Sequence, residues 1–134
     1  MSMTTAAVLG TGAWGTTFAQ VLADAGVEVT MWGRNADTVS FINGRENPSY
    51  LPGISLSERI SATTDIAEAV AGRELVVVAV PVKAVRATLS AARESFAPEV
   101  ALLSLAKGLE LGSLKRVDEI IAEASGVPGS RIAV

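Results

Sequence analysis

One hexapeptide, Gly10-Thr11-Gly12-Ala13-Trp14-Gly15, limits what this chain can fold into more than any other feature. It has the form G-x-G-x-x-G. It follows a compact apolar run, Ala6 to Leu9, and precedes residues at helical spacing: Trp14, Phe18, Val21, Leu22 and Ala25. A strand that turns sharply into a helix needs glycine at three places for three reasons. Gly10 allows the tight turn, Gly12 lets backbone approach a pyrophosphate, and Gly15 lets the helix lie close to the strand. The free N–H groups at the positive end of the helix then hold phosphate oxygens. Taken alone the motif is weak; set between a strand and a helix it predicts a dinucleotide loop. A glycine-rich turn that binds nothing is the plainer alternative.

The rest of the chain supports the strand–helix setting. Gly26 follows the first helix, where a residue tolerant of positive φ ends a helix cheaply. Val27 to Trp32 alternates and reads as a strand, and Ala36 to Gly44 as a short helix. Residues 45–53, with two prolines, read as a loop. Arg59 to Ala62 reads as a strand. Asp65 and Glu68 have the spacing of a capping box for a helix reaching Ala71. Leu75 to Val80 shows no polar face, which predicts a strand covered on both sides. A helix over Val82 to Ala92 follows Pro81, then a strand over Val100 to Leu105. A helix over Ser113 to Ala124 has Leu114, Val117, Ile120 and Ile121 on its inner face, and Ile132 to Val134 opens another strand. This alternation predicts an α/β fold, a Rossmann-type doubly wound and mostly parallel sheet with helices on both faces. No repeat, low-complexity tract or linker interrupts it. The 134 residues suit one dinucleotide-binding domain, 1–134. An apolar strand in its last three residues suggests the N-terminal part of a longer enzyme.

Composition removes other classes of function. With 49% hydrophobic residues the chain can build a core, so disorder is excluded. Eleven Lys and Arg against fourteen Asp and Glu give a net charge of −3, which argues against nucleic acid as a partner. The chain has no Cys and no His. Nucleophile systems built on Ser–His–Asp or Cys–His, thiolate metal sites and disulfides are therefore excluded, and no metal is expected. The N-terminus has neither the basic nor the long apolar region of a secretory signal. The longest apolar run falls far short of the roughly 20 residues of a membrane span. A soluble, cytoplasmic protein is the expectation.

Two further positions carry chemistry. An NAD-specific site places Asp or Glu about 20 residues past the glycines to hold the ribose 2′-hydroxyl. Here the second strand ends Met31-Trp32-Gly33-Arg34, without a carboxylate. Arg34 can pair with a 2′-phosphate or stack on adenine, which favours NADP(H) and leaves NAD(H) open. Lys107 follows the strand ending at Leu105, on the ligand side of a doubly wound sheet. Spacing alone reads it as an exposed loop lysine, and Lys83, after Pro81, likewise.

GTGAWGTTFA after an apolar strand, then MWGR, NPSYLPG, VVVAVP and SLAKGLE in that order, resemble the N-terminal domain of bacterial NAD(P)-dependent glycerol-3-phosphate dehydrogenases. The resemblance covers essentially the whole chain, and its motifs are specific in combination. It implies dinucleotide contacts at Thr11, Gly12, Trp14 and Gly15, beside Gly10 of the glycine motif. Arg34 matches the basic residue after the second strand, with Asn35 beside it. Tyr50 matches a motif position near the cofactor cleft, and Lys107 the lysine that reaches both cofactor and substrate. The implied reaction is reversible NAD(P)H-dependent reduction of dihydroxyacetone phosphate to sn-glycerol 3-phosphate, feeding phospholipid synthesis. The family's helical substrate domain, with the catalytic lysine, is missing from these residues. No catalytic residue is therefore expected in the chain, and the 134 residues alone are expected to be inactive. A homodimer of the full-length enzyme is an open expectation. Two alternatives are another two-domain dehydrogenase, such as a ketopantoate reductase or a 3-hydroxyacid dehydrogenase, and a non-catalytic dinucleotide sensor. YLPG and KGLE speak against the first. The absence of any effector segment speaks against the second.

Overall fold

The computed structural model describes residues 3–134; Met1 and Ser2, at the start of the N-terminal stretch read for a signal, lie outside the described residues. Six strands form one sheet: β1 (Thr5–Leu9), β2 (Glu28–Trp32), β3 (Ile60–Thr63), β4 (Leu75–Val78), β5 (Ala101–Ser104) and β6 (Ile132–Ala133). Their order is β3-β2-β1-β4-β5-β6 and every pairing is parallel. This is the doubly wound order, with the chain reversing direction across the sheet between β1 and β4. Five helices connect the strands: α1 (Ala13–Asp24), α2 (Ala36–Asn43), α3 (Ile66–Val70), α4 (Val82–Ala92) and α5 (Val117–Ser125). Among the described residues no helix is long and apolar enough to cross a membrane.

Alternate residues of each strand feed two cores. Ala7, Leu9, Val76, Val78 and Leu102 face α3, α4 and α5 through Val70, Val85, Leu89, Val117, Ile120 and Ile121. Ala6, Val8, Val29, Met31 and Val77 face α1 and α2 through Ala19, Ala23 and Ile42. Val76, Val77 and Val78 of β4 are fully buried, as in a strand covered on both faces. Each large side chain buried to this degree stabilises the fold by about 1.5–3 kcal/mol.

The structure departs from the periodicity of α1. The sequence pattern puts Trp14, Phe18, Val21, Leu22 and Ala25 inside. Instead the helix buries Gly15, Thr16, Ala19 and Ala23, while Trp14 is 80% exposed and Val21 is exposed. Gly15 is the cause. A Cβ there would lie 2.5 Å from the carbonyl oxygen of Gly10, so the helix rests almost on the strand turn and only its small-residue face fits against the sheet.

Within β2, Thr30 is buried and receives a hydrogen bond from Arg73 Nη2 at 2.9 Å. One further difference has a local cause. The helix expected from Ser113 begins instead at Val117. Leu114 has φ +59° and is 68% exposed, so it lies outside the helix whose inner face it was expected to share. Its N–H bonds the carbonyl of Glu110, and the bridge between Leu109 and Arg116 folds residues 109–116 into a loop. At Asp65, Oδ1 accepts from Ala67 N and Glu68 N, the forward half of the expected capping box.

Candidate functional site

Strand register builds the site. Leu9 pairs with Trp32 and Val78, Trp32 with Thr63, and Val78 with Ser104, so these residues form one row across the sheet. Gly10, Gly33, Ala79 and Leu105 follow directly beyond that row. All four line a cleft of about 650 Å³ at the carboxyl ends of the strands, over the β1–β4 switch point. The size is that of a small-molecule or cofactor site.

The glycine loop forms one wall, and its glycines divide by role. Gly10 has φ +123°, and a Cβ there would meet the Ala79 carbonyl oxygen at 2.7 Å. Gly10 and Gly15 are therefore required by the protein's own packing. Gly12 is different. A Cβ there would meet nothing within 4 Å, so its lack of a side chain leaves an open cradle in the cleft wall. Gly12 is also the N-cap of α1. No side chain caps this end, and the first turn holds no acidic residue. Helix geometry leaves the first N–H groups without intrahelical acceptors, and they favour an anion. The open space, free donors and missing side chain fit a pyrophosphate.

A buried asparagine holds this loop, and sequence reasoning did not single it out. Asn47 is 1% exposed, and its Nδ2 donates to the Thr11 carbonyl at 2.9 Å and to Thr16 Oγ1 at 2.8 Å. Its backbone carbonyl accepts from Tyr50 N and Leu51 N. One residue therefore ties the YLPG turn to the glycine loop. The signal available in sequence was an Asn-Pro pair opening that turn, which reads as turn chemistry alone. Gly33 is a second omission. A Cβ there would lie 2.7 Å from Thr11 Cγ2, so this glycine seats Thr11 against the end of β2.

The structure brings most of the sequence-identified residues to one place. Gly10, Thr11, Gly12, Trp14, Gly15, Arg34, Tyr50 and Lys107 all line the cleft. Trp14 and Tyr50 stand exposed at its rim. Asn35 is placed beside it, not in its lining. Its Oδ1 caps α2, accepting from Asp37 N at 2.9 Å and Thr38 N at 3.1 Å. Lys83, read from sequence as an ordinary exposed lysine, lines the cleft from the first turn of α4. The lining thus contains three cations, Arg34, Lys83 and Lys107, and no carboxylate. In a chain of net charge −3 this is a marked local reversal of sign.

Beyond Lys107 lies a network of charges. Arg86 on α4 forks onto both oxygens of Glu110, through Nε and Nη2, each at 2.9 Å. Its Nη1 reaches Glu123 on α5 at 3.0 Å, and Lys115 pairs with the same Glu123. The Arg86 fork, with the Ser113 hydroxyl second, pulls the Glu110 carboxyl down from 4.5 to about 2. The same fork, and then Glu123, raises the pKa of Arg86. Among the described residues no group of His, Cys, Asp and Glu could hold a metal.

Comparison with known proteins bears on this geometry. Residues 5–134 match the family model described as NAD-dependent glycerol-3-phosphate dehydrogenase N-terminus. The glycerol-3-phosphate dehydrogenase [NAD(P)+] of Thermobifida fusca is 51% identical over 134 residues, covering 98% of this chain. The chain spans 40% of the length of that curated relative. The crystal structure of glycerol-3-phosphate dehydrogenase from Coxiella burnetii superposes with a TM-score of 0.84 at 28% identity, over 93% of this chain and 38% of that one. A ketopantoate reductase from Ralstonia eutropha shares the fold alone, with a TM-score of 0.70 at 24% identity over 89% of this chain and 37% of that one. The sequence pattern runs from Thr5 through Val134 over the same doubly wound sheet, and on that footing the chain belongs to the N-terminal family of NAD-dependent glycerol-3-phosphate dehydrogenases.

Proposed function

We propose that residues 1–134 are the dinucleotide-binding domain of a cytoplasmic glycerol-3-phosphate dehydrogenase, and that the cleft takes NADP(H) or NAD(H). The observation that carries the reading is the cation-lined cleft at the uncapped end of α1, in a chain that is acidic as a whole. A dinucleotide brings two or three phosphates, and in this cleft cations and free helix N–H groups converge to meet them. Gly12 leaves room for the pyrophosphate, Thr11 and Gly15 shape the turn beneath it, and Arg34 faces the adenosine end. With no carboxylate in the lining to repel it, a 2′-phosphate is accepted. Tyr50 and Trp14 wall the rim, and Asn35 holds the start of α2 beside Arg34.

When bound, the nicotinamide supplies the hydride that converts dihydroxyacetone phosphate to sn-glycerol 3-phosphate, or receives it in reverse. Lys107, exposed in the cleft lining, neutralises phosphate. The remaining machinery, including the group that delivers the proton to the substrate oxygen, belongs to a helical substrate domain. The 40% coverage of the Thermobifida relative supports that division. Product made in this way serves phospholipid synthesis, and the full-length enzyme is proposed to work as a homodimer.

The test is to titrate the 134-residue chain with NADPH and to assay it with dihydroxyacetone phosphate beside the full-length protein. Holding substrate in reacting geometry is worth roughly 7–11 kcal/mol, and this chain alone lacks the second wall that would do so. The expected result is weak NADPH binding and no measurable turnover. Turnover within about tenfold of the full-length rate, a difference of roughly 1.4 kcal/mol in barrier, would place the chemistry inside these residues and overturn the division.

A further inference from the structure

We propose that Arg86 and Glu110 are positioning residues that hold Lys107 toward the cleft, and so set how tightly the phosphate-bearing substrate binds. The proposal rests on the reading of Lys107 as a substrate contact.

Lys107 sits between two anchors. Upstream, buried Ser104 closes a turn: its Oγ accepts from Ala106 N and donates to the Ala106 carbonyl, both at 3.0 Å. Downstream, Glu110 is held at four points. Its N–H donates to the Lys115 carbonyl at 2.9 Å and its carbonyl accepts from Leu114 N at 2.8 Å. Its carboxylate takes the Arg86 fork and the Ser113 hydroxyl, the latter at 2.6 Å. Between the anchors, Lys107 and Gly108 make no backbone–backbone hydrogen bond among the described residues. Gly108 has φ +128° and, as glycine, puts the fewest steric limits on the backbone beside Lys107. The direction of Lys107 is therefore decided by its two ends.

The energetics fit positioning better than folding. The side chains of Arg86 and Glu110 are 38% and 19% exposed, and solvent-accessible ion pairs contribute little to stability. A bidentate fork nevertheless fixes direction, since both N–H···O bonds must align together. Arg86 lies one turn beyond Val82 and Lys83, which line the cleft. The same helix thus forms one wall and holds the opposite loop at a set distance from it. Leu114, kept at φ +59° by its bond to Glu110, shows that this loop holds a conformation costly for a non-glycine residue.

The experiment uses the full-length enzyme with Lys107→Ala, Glu110→Gln, Arg86→Lys and the double variants Lys107→Ala/Glu110→Gln and Lys107→Ala/Arg86→Lys. Steady-state kinetics with dihydroxyacetone phosphate are read beside thermal midpoints. Glu110→Gln keeps the side chain's shape, and Arg86→Lys keeps the charge but cannot fork. Each is expected to raise KM for dihydroxyacetone phosphate roughly tenfold, and to add less than about twofold once Lys107 is already alanine, the signature of groups acting as one unit. Midpoints should fall only slightly, by the small contribution that a solvent-accessible ion pair makes to stability. If Lys107→Ala leaves KM and kcat unchanged, the reading of Lys107 is wrong and the proposal falls with it. If Lys107→Ala is impaired but the clamp variants match the parent, or lose equally on both backgrounds, Lys107 stands and the clamp is refuted. Clamp variants that fail to fold assign the pair to stability instead, which also refutes it.

Discussion

Asn47 Nδ2 donates to the Thr11 carbonyl across 36 residues of sequence, at 2.9 Å, and the asparagine is 1% exposed while it does so. A buried donor aimed at a loop carbonyl sets where that loop lies. Removing it leaves the Thr11 carbonyl and the Thr16 hydroxyl with only their own 3.3 Å bond to each other, a cost of about 1–3 kcal/mol. Asn47→Ala should therefore lower stability by that amount in urea unfolding and weaken NADPH binding in a calorimetric titration. Asn47→Asp should be worse on both counts, because it sets a carboxylate against a carbonyl. Unchanged NADPH affinity in a destabilised Asn47→Ala chain would show that the loop holds its shape without the tie.

The loop glycines should separate folding from binding. Gly10→Ala forces a Cβ to 2.7 Å from backbone at φ +123°, so it should cost roughly 1–3 kcal/mol or more of stability. Gly12→Ala meets no atom of the protein. It should cost at most about 1 kcal/mol, through the poorer helix cap, while reducing NADPH affinity at least tenfold. Chemical denaturation beside fluorescence titration distinguishes the two. Intact NADPH binding by Gly12→Ala would mean that the cradle is not where the pyrophosphate sits.

Arg34 is exposed at the mouth of the cleft and makes no salt bridge among the described residues. Arg34→Asp should weaken NADPH binding about tenfold more than NADH binding, a difference near 1.4 kcal/mol. Equal losses for the two cofactors would show that this guanidinium does not read the 2′-phosphate.

The Glu110 carboxyl, drawn down to about 2 by the Arg86 fork, makes stability depend on acid in a defined direction. A carboxyl whose folded-state pKa is lowered stabilises the fold fully above its ordinary value near 4.5. That contribution fades as pH falls toward 2, where Glu110 protonates in the folded chain too. Glu123, Asp118 and Glu74 are lowered as well and contribute in the same direction. Glu110→Gln should make the loss of stability between pH 4.5 and 2 shallower, leaving the part due to the other three. Urea midpoints at successive pH values, followed by tryptophan fluorescence, measure it, and an unchanged slope would exclude the fork as a contributor.

The strand–glycine–helix unit at residues 5–24 was legible because its signals are local. An apolar β run, three glycines at set spacing and a helical period each follow from neighbouring residues. The buried character of Val76, Val77 and Val78 was legible for the same reason, since a strand without polar positions can only be covered on both faces. Arg34 and Lys107 could be placed on the ligand side once strand order was assumed, because every parallel strand ends on the same edge. Long-range contacts were not legible. Asn47 reaches Thr11 because the loop after α2 folds back over α1, and no spacing within residues 45–53 encodes that return. Lys83 joins the cleft only because α4 starts beside the glycine loop. The inner face of α1 was misjudged because apolar periodicity reports what a helix can bury, while Gly15 and the turn at Gly10 decide how closely it can approach. Leu114 left its predicted helix because the hydrogen bond to Glu110 and the bridge from Leu109 to Arg116 compete with the helical turn and win. Local pattern thus determined the elements, their order and the loop that receives phosphate. Which side chains meet over that loop was decided by packing and by hydrogen bonds between segments far apart in sequence, whose energies depend on distances that exist only once the sheet has closed.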